Sequence, residues 1–262
     1  VDNPHTKPYY FWGWVIAQVK KKHPDVLFLA EAFTKPKVMQ QLAKQGYTQS
    51  YTYFTWRDSK HELIEYMNDL TQTNQREYMR PNFWPNTPDI NPHHLQGAPE
   101  SKYLQRYALA GTLSSSIGIY GPVFEQMIDR PIPGKEEYYM SEKFQICNYD
   151  WFKENKVTTL ISKINNIRKE NASYQQTNNI KFLETGNDNL IAFYKWDDFK
   201  TNETLTIISL DAYNSQTGSV QLPLHDLGIH QGQKIEVEDL VTRNCYDWYN
   251  EWNYVQSVSY TH

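Results

Sequence analysis

The chain has 262 residues, with 26 Lys and Arg against 30 Asp and Glu and a formal net charge of −4. It lacks the basic excess of a phosphate-tracking surface, so nucleic acid is excluded as a partner. Its length allows a sizeable core, no apolar run approaches the ~20 residues that cross a bilayer, and the opening Val1-Asp2-Asn3-Pro4 carries no leader pattern; the expectation is a soluble, cytoplasmic chain without a membrane partner.

In chain order, Phe11 to Lys22 places Trp12, Val15, Ile16 and Val19 at helical spacing and ends in a lysine run, which suits a helix C-terminus. Val26 to Ala30 is a continuous apolar run after Pro24, the pattern of a strand buried on both faces and so of a parallel sheet. Val38, Leu42 and Ala43 mark a second helix that stops at Gly46. The alternation then repeats: strand over Gln49 to Phe54, helix over Lys60 to Leu70, strand over Asn82 to Asn86, helix over Tyr103 to Leu113, strand over Ile117 to Tyr120. It predicts a parallel α/β sheet, either doubly wound or closed into a barrel. No Gly-x-Gly-x-x-Gly turn or Gly-Lys-Ser/Thr loop follows any strand, which speaks against a nucleotide-binding open sheet.

A last strong helix runs from Val157 to Lys169, with Leu160, Ile161, Ile164 and Ile167 in one stripe. The texture then changes to short alternating runs: 181–183, Leu190 to Trp196, Leu205 to Leu210, Ser219 to Leu222 and Lys234 to Val237. These predict a small antiparallel β-sandwich, giving an α/β domain over 1–178 and a β-sandwich domain over 179–262.

Three acids stand where strands end. Asp2 follows a residue that only closes a strand, Glu31 follows the Val26 to Ala30 run, and Asp89 follows the segment 82–88. On a parallel barrel that rim is where side chains of different strands meet. Two carboxylates about 5–5.5 Å apart suffice for a retaining glycosyl transfer, one attacking the anomeric carbon and one protonating the leaving oxygen. A single acid at such a place is as readily a helix cap or a solvated charge; three together point to chemistry. Aromatics make up 15% of the chain, including 20 Tyr, and flat rings suit sugar faces as well as cores. Tyr51, Tyr53, Trp56, Trp84 and Tyr120 are the candidate platforms. The apolar flank of Glu31 (Leu29, Ala30, Ala32, Phe33) predicts a raised pKa.

Cys147 and Cys245 lie far apart, without metal-ligand spacing, and read as small, partly buried residues. His5, His93 and His94 have no carboxylate at metal-site spacing and read as hydrogen-bonding or surface residues. Neither a metal nor a cofactor is expected.

The strings Val-Asp-Asn-Pro-His-Thr-Lys-Pro at 1–8, Leu-Ala-Glu-Ala-Phe-Thr-Lys-Pro-Lys at 29–37, Gln-Ser-Tyr-Thr-Tyr-Phe-Thr-Trp-Arg at 49–57, Asn-Thr-Pro-Asp-Ile-Asn-Pro at 86–92 and Pro-Gly-Lys-Glu-Glu-Tyr at 133–138 resemble the maltose-1-phosphate maltosyltransferase branch of the α-amylase family. The resemblance covers nearly the whole chain. Ordinary α-amylases carry Asn-His-Asp where this chain has Thr87-Pro88-Asp89, and they lack the first string.

The resemblance implies the C-terminal part of a (β/α)₈ barrel, strands four to eight, with Asp2 as nucleophile, Glu31 as general acid/base and Asp89 gripping sugar hydroxyls. It further implies that Asn3 contacts the donor phosphate and Lys143 the outer glucose of a maltosyl unit; Tyr51 and Tyr53 are added as substrate contacts from the aromatic platforms above. The implied substrates are maltose 1-phosphate and an α-1,4-glucan, and the implied full-length enzyme is a homodimer. A chain opening without Met at the fourth strand reads as a fragment, expected to be inactive and poorly soluble alone. The rival readings are an α-amylase-type hydrolase or other transglycosylase on α-glucan, and a non-catalytic glucan-binding piece.

Overall fold

The computed structural model describes residues 1–257. Its first part alternates helix and strand: α1 Tyr9–Lys22, β1 Leu29–Ala30, α2 Pro36–Ala43, β2 Gln49–Tyr51, α3 Lys60–Gln72, α4 Gln75–Tyr78, β3 Pro81–Phe83, α5 Glu100–Leu113 and β4 Ser116–Ile117. The strands form one parallel sheet in the order β1-β2-β3-β4. Ala30 is opposite Ser50, Tyr51 opposite Asn82 and Phe83 opposite Ile117. Beyond β1 the ladder continues for one residue: Asp2 forms a parallel bridge with Glu31, closed by Glu31 N–H to Val1 O at 3.0 Å and Asn3 N–H to Glu31 O at 3.1 Å.

Every one of these strands is shorter than the sequence predicts, and beyond β1, β2 and β3 a side chain or turn takes over the ladder. Val26 and Leu27 are 38% and 62% exposed and precede the sheet, while Phe28 N–H bonds the Thr48 hydroxyl at 3.0 Å. After Tyr51 the backbone winds into a 3₁₀ turn, Tyr53–Trp56, which drives Phe54 into the core at 0% exposure. The Trp84 carbonyl accepts from the Thr55 hydroxyl at 2.8 Å instead of from a strand, and Pro85 offers no N–H.

α3 starts where Ser59 caps it: the Ser59 hydroxyl accepts from Glu62 N–H, and the Glu62 carboxylate accepts from Ser59 N–H. α5 is buried almost throughout, including two cations. Lys102 reaches Asp58 at 2.6 Å, and Arg106, fully buried, donates to the carbonyls of Arg57 and Phe54, both at 2.6 Å. Asp58 thus balances both charges inside the protein, at 3.8 Å from Arg106, although among the described residues the Arg106 Nε finds no partner.

After α6, Lys156–Glu170, all pairing is antiparallel. β5 Ile180–Leu183, β6 Leu190–Trp196 and β7 Glu203–Ser209 form a three-stranded sheet. β8 Gln216–Gln221 pairs with β11 Trp252–Ser257, and β9 Ile235–Glu238 with β10 Cys245–Trp248; a short helix, α7 Leu224–Leu227, lies between β8 and β9. The last two strands, α4 and α7 were not anticipated. Ile180, Ile191 and Phe193 share one core cluster with Phe54, Leu63, Met67, Phe83 and Leu109, so hydrophobic packing runs without a break from the parallel sheet into the antiparallel one. Cys147 is half-buried as expected, but Cys245 is exposed, because it opens β10 on the outer rim.

Candidate active site

Asp2, Glu31 and Asp89 reach the same end of the parallel sheet by different devices. Asp2 and Glu31 are bridge partners on neighbouring parallel strands, about 4.8 Å apart in the hydrogen-bonding direction, and paired residues point to the same face. Asn3 then adopts a left-handed backbone, φ 46°, which ends the ladder directly after Asp2. Asn tolerates that conformation, and its carbonyl accepts from Thr6 N–H at 3.1 Å and the Thr6 hydroxyl at 2.8 Å. Its side chain is left exposed beside Asp2.

Asp89 sits on a turn that Thr87 builds, its hydroxyl accepting from Ile90 N–H at 3.0 Å and Asp89 N–H at 3.3 Å. Asn86 anchors the turn's root, accepting from Tyr120 N–H at 3.0 Å and donating to the Tyr138 hydroxyl at 2.9 Å. Lys143, far along the chain, pairs with Asp89 at 2.8 Å, and this contact raises the lysine's pKa.

The electrostatics join the three acids. Burial is the largest cause raising the Glu31 carboxyl above the usual carboxylate range, followed by the negative charges of Asp89 and then Asp2; Lys143 pulls it back. Ala30 and Ala32, 2% and 3% exposed, flank it as the apolar sequence predicts. Tyr51 also lies in the field of Glu31, and burial with that charge pushes its phenol up to about 12.

An aromatic wall continues from Tyr51, which stacks on Trp84 at 4.6 Å and packs against Phe33 at 6.0 Å. Phe33 meets Trp56 edge-on at 4.9 Å. Gly118 is what admits Trp84, since a Cβ there would lie 2.3 Å from the indole. Tyr120 donates to Glu142 at 2.7 Å.

Tyr53 is not brought to this group: its hydroxyl donates to the Thr34 carbonyl and its ring packs on Tyr66 and the first core cluster. His5 is half-buried in the turn after Asp2, and His93 is exposed. His94 lies among Asp58, Lys102 and Arg106, where burial first and Arg106 second lower its pKa to about 3. Among the described residues no cluster of His, Cys, Asp and Glu suits a metal ion, and no helix is long and apolar enough to cross a membrane.

Glu136 escaped the sequence reading although it lies in one of the quoted strings. Its carboxylate accepts from the Trp56 indole N–H at 2.9 Å and from His93 N–H at 3.0 Å. The only local signal is the turn at Gly134, φ 75°, followed by paired acids.

Residues 182–261 match the family described as GLGE, C-terminal. The α-1,4-glucan:maltose-1-phosphate maltosyltransferase of Chlorobaculum tepidum is 47% identical over 98% of this chain, and that of Methylacidiphilum infernorum is 44% identical over 98%. The chain spans about two fifths of these relatives, 39% and 38% of their lengths. In fold it is similar to the maltogenic α-amylase AmyB from Thermotoga neapolitana, with a TM-score of 0.65 at 14% identity over 97% of this chain and 57% of that one. The α-amylase from H. orenii gives a TM-score of 0.62 at 13% identity, covering 95% of this chain and 56% of that one. With the opening strings and the three strand-end acids in one sequence, this chain is similar over nearly its whole length to α-1,4-glucan:maltose-1-phosphate maltosyltransferases, on a fold shared with α-amylases.

Proposed function

We propose that the protein carrying this chain moves a maltosyl unit from α-maltose 1-phosphate to the non-reducing end of an α-1,4-glucan, with retention and through a covalent glycosyl-enzyme. The observation that carries the reaction type is the bridge between Asp2 and Glu31, which sets a nucleophile and an acid/base side by side while Asp89 adds its charge to the same point. The relatives' name supplies the donor and the acceptor.

In the first half-reaction an Asp2 oxygen bonds to the anomeric carbon, the bond to the phosphate oxygen breaks, and phosphate departs with the electron pair, assisted by the Glu31 proton. In the second, Glu31 as carboxylate takes the proton of the acceptor 4-OH. That oxygen attacks the anomeric carbon and Asp2 is released. Two inversions give net retention. Glu31 works in both protonation states, and its raised pKa keeps the protonated form available toward neutral pH.

Asp89 grips sugar hydroxyls as the ring flattens, and Lys143 hands over from Asp89 to the outer glucose of the donor. Asn3, exposed beside Asp2, contacts the donor phosphate, and Tyr51 with its stacked partner Trp84 offers a sugar platform. Tyr53 keeps only an indirect role, bracing Thr34 in the loop after Glu31. Residues 1–178 form strands four to eight of a (β/α)₈ barrel and 179–262 a β-sandwich domain, of which 258–262 lie outside the described residues, in a cytoplasmic homodimer.

The test is incubation of the full-length protein with maltose 1-phosphate and glycogen. Phosphate release with chain growth is expected. Release of maltose or glucose from starch without use of the phosphate donor would assign an α-amylase-type hydrolase instead.

A further inference from the structure

We infer that Glu136 is a positioning residue: its one carboxylate fixes the loop bearing Asp89 against the aromatic wall that shields Glu31. Each oxygen holds a different element. One accepts from the Trp56 indole after β2 at 2.9 Å, the other from His93 N–H in the loop after β3 at 3.0 Å. The Glu136 carbonyl also accepts from Asn91 N–H at 2.8 Å, two residues from Asp89. The neighbouring Lys135 pairs with Glu137 at 3.5 Å instead.

On one side the contact continues from Trp56 to Phe33 at 4.9 Å, two residues beyond Glu31. On the other it continues through the 86–97 loop, where Asp129 supports it by accepting from Gly97 N–H at 2.6 Å and, at its carbonyl, from the Asn91 amide at 2.7 Å. Trp56 and His93 thus share one anchor from a third segment, and the gap between Glu31 and Asp89 is set by it. A glutamine at 136 would turn an N–H toward one of the two donors and leave that contact repulsive.

The direction of the effect follows from what surrounds Glu31. Asp2 faces it from the neighbouring strand, Asp89 from the loop after β3, Lys143 from the segment beyond Glu136 and Tyr51 from β2. Loosening Glu136 admits water to the wall and lets Asp89 draw away. Both changes lower the Glu31 pKa, and burial and Asp89 are its two largest causes. Lys143 moves with Asp89, to which it is bonded, and is the smallest of the causes.

This inference rests on Glu31 as acid/base, and its test separates the two ideas. In the full-length protein, Glu136→Gln should move the alkaline limb of kcat/KM for maltose 1-phosphate down by about half to one pH unit and lower kcat/KM at neutral pH about tenfold. Trp56→Phe, which removes the indole donor and part of the ring while leaving His93 held, should shift the limb the same way by less, and the double variant by less than the sum. Independently of turnover, infrared titration of the carboxyl band that Glu31→Gln abolishes should show the same downward shift. An unchanged limb and titration in Glu136→Gln overturn the proposal whatever its stability; if that variant does not fold, an unchanged titration in Trp56→Phe does so. Absence of phosphate release by the unaltered protein sinks the transferase reading alone, because the infrared titration still decides the positioning role.

Discussion

In the proposed reaction Glu31 has to lose and regain one proton in each cycle, and its surroundings favour keeping it: an apolar flank and two carboxylates resist ionisation, against Lys143. Glu31→Gln should therefore abolish the alkaline limb and cut kcat/KM by about 10²–10⁴-fold, read in phosphate release by the full-length protein over a pH series. A retained limb would assign it to another group. Lys195 in β6 is buried with no acid partner among the described residues: its ammonium donates to the Gln176 carbonyl at 2.6 Å, and burial, then Arg168, lower its pKa from 10.5 to about 7. The unfolded chain therefore holds more protons than the folded one between those values, so this group adds stability as pH rises from about 7 to 10.5. Lys195→Met should stabilise the protein by about 1–3 kcal/mol at pH 7, with the gain shrinking toward pH 10, in urea titrations at both pH values. Asp2, Glu31 and Asp89 were legible because each falls in a short contiguous string at a strand end. Glu136 was not, because its partner Trp56 is 80 residues away and neither residue is unusual in its own segment.

At the level of elements, the order of helices and strands was legible from apolar runs, but strand ends were not. Ladder length here depends on side chains such as Thr48 and Thr55 that intercept backbone groups, and such contacts leave no mark on periodicity. β10 was missed because Cys245-Tyr246-Asp247-Trp248 has no buried position, and β11 because its inward positions are the polar Asn253 and the half-buried Val255 while Trp252 and Tyr254 face out. Gly118, just past β4, has a role that only packing reveals. An added Cβ would sit 2.3 Å from the Trp84 ring and push it toward Tyr51, its stacking partner at 4.6 Å. Gly118→Ala should cost about 1–3 kcal/mol and also lower kcat/KM about tenfold. Gly111→Ala in α5 is the comparison: its Cβ would meet Ile164 at 2.7 Å, far from the acids, so stability should fall while kcat/KM per folded molecule holds. Equal activity in the two variants, by calorimetry and phosphate release, would detach the Tyr51–Trp84 stack from the site.

Over the whole molecule, hydrophobic surface is distributed unevenly. The core joining the parallel and antiparallel sheets is closed, yet Tyr10 and Trp14 on α1 are 78% and 61% exposed, and Phe144, Ile146, Trp151 and Phe152 are 79%, 95%, 72% and 93% exposed. Among the described residues the parallel sheet is open, with the Val1–Asn3 segment at one edge and β4 at the other, and open edges with apolar neighbours favour association between copies. The chain spans 39% of its Chlorobaculum tepidum relative, so the surfaces of that longer protein are not those of this chain alone. Expressed by itself, residues 1–262 should bind a hydrophobic dye, elute in size-exclusion chromatography as a broad oligomeric mixture, and release no phosphate from maltose 1-phosphate. The two acids on neighbouring strands are present in it, so the loss would come from a wall left incomplete around a donor that carries a phosphate. A monodisperse, dye-silent chain with turnover would show that the carboxylates and the Glu136 tie suffice without further sequence, and would leave the phosphate contact to Asn3 and its immediate neighbours alone.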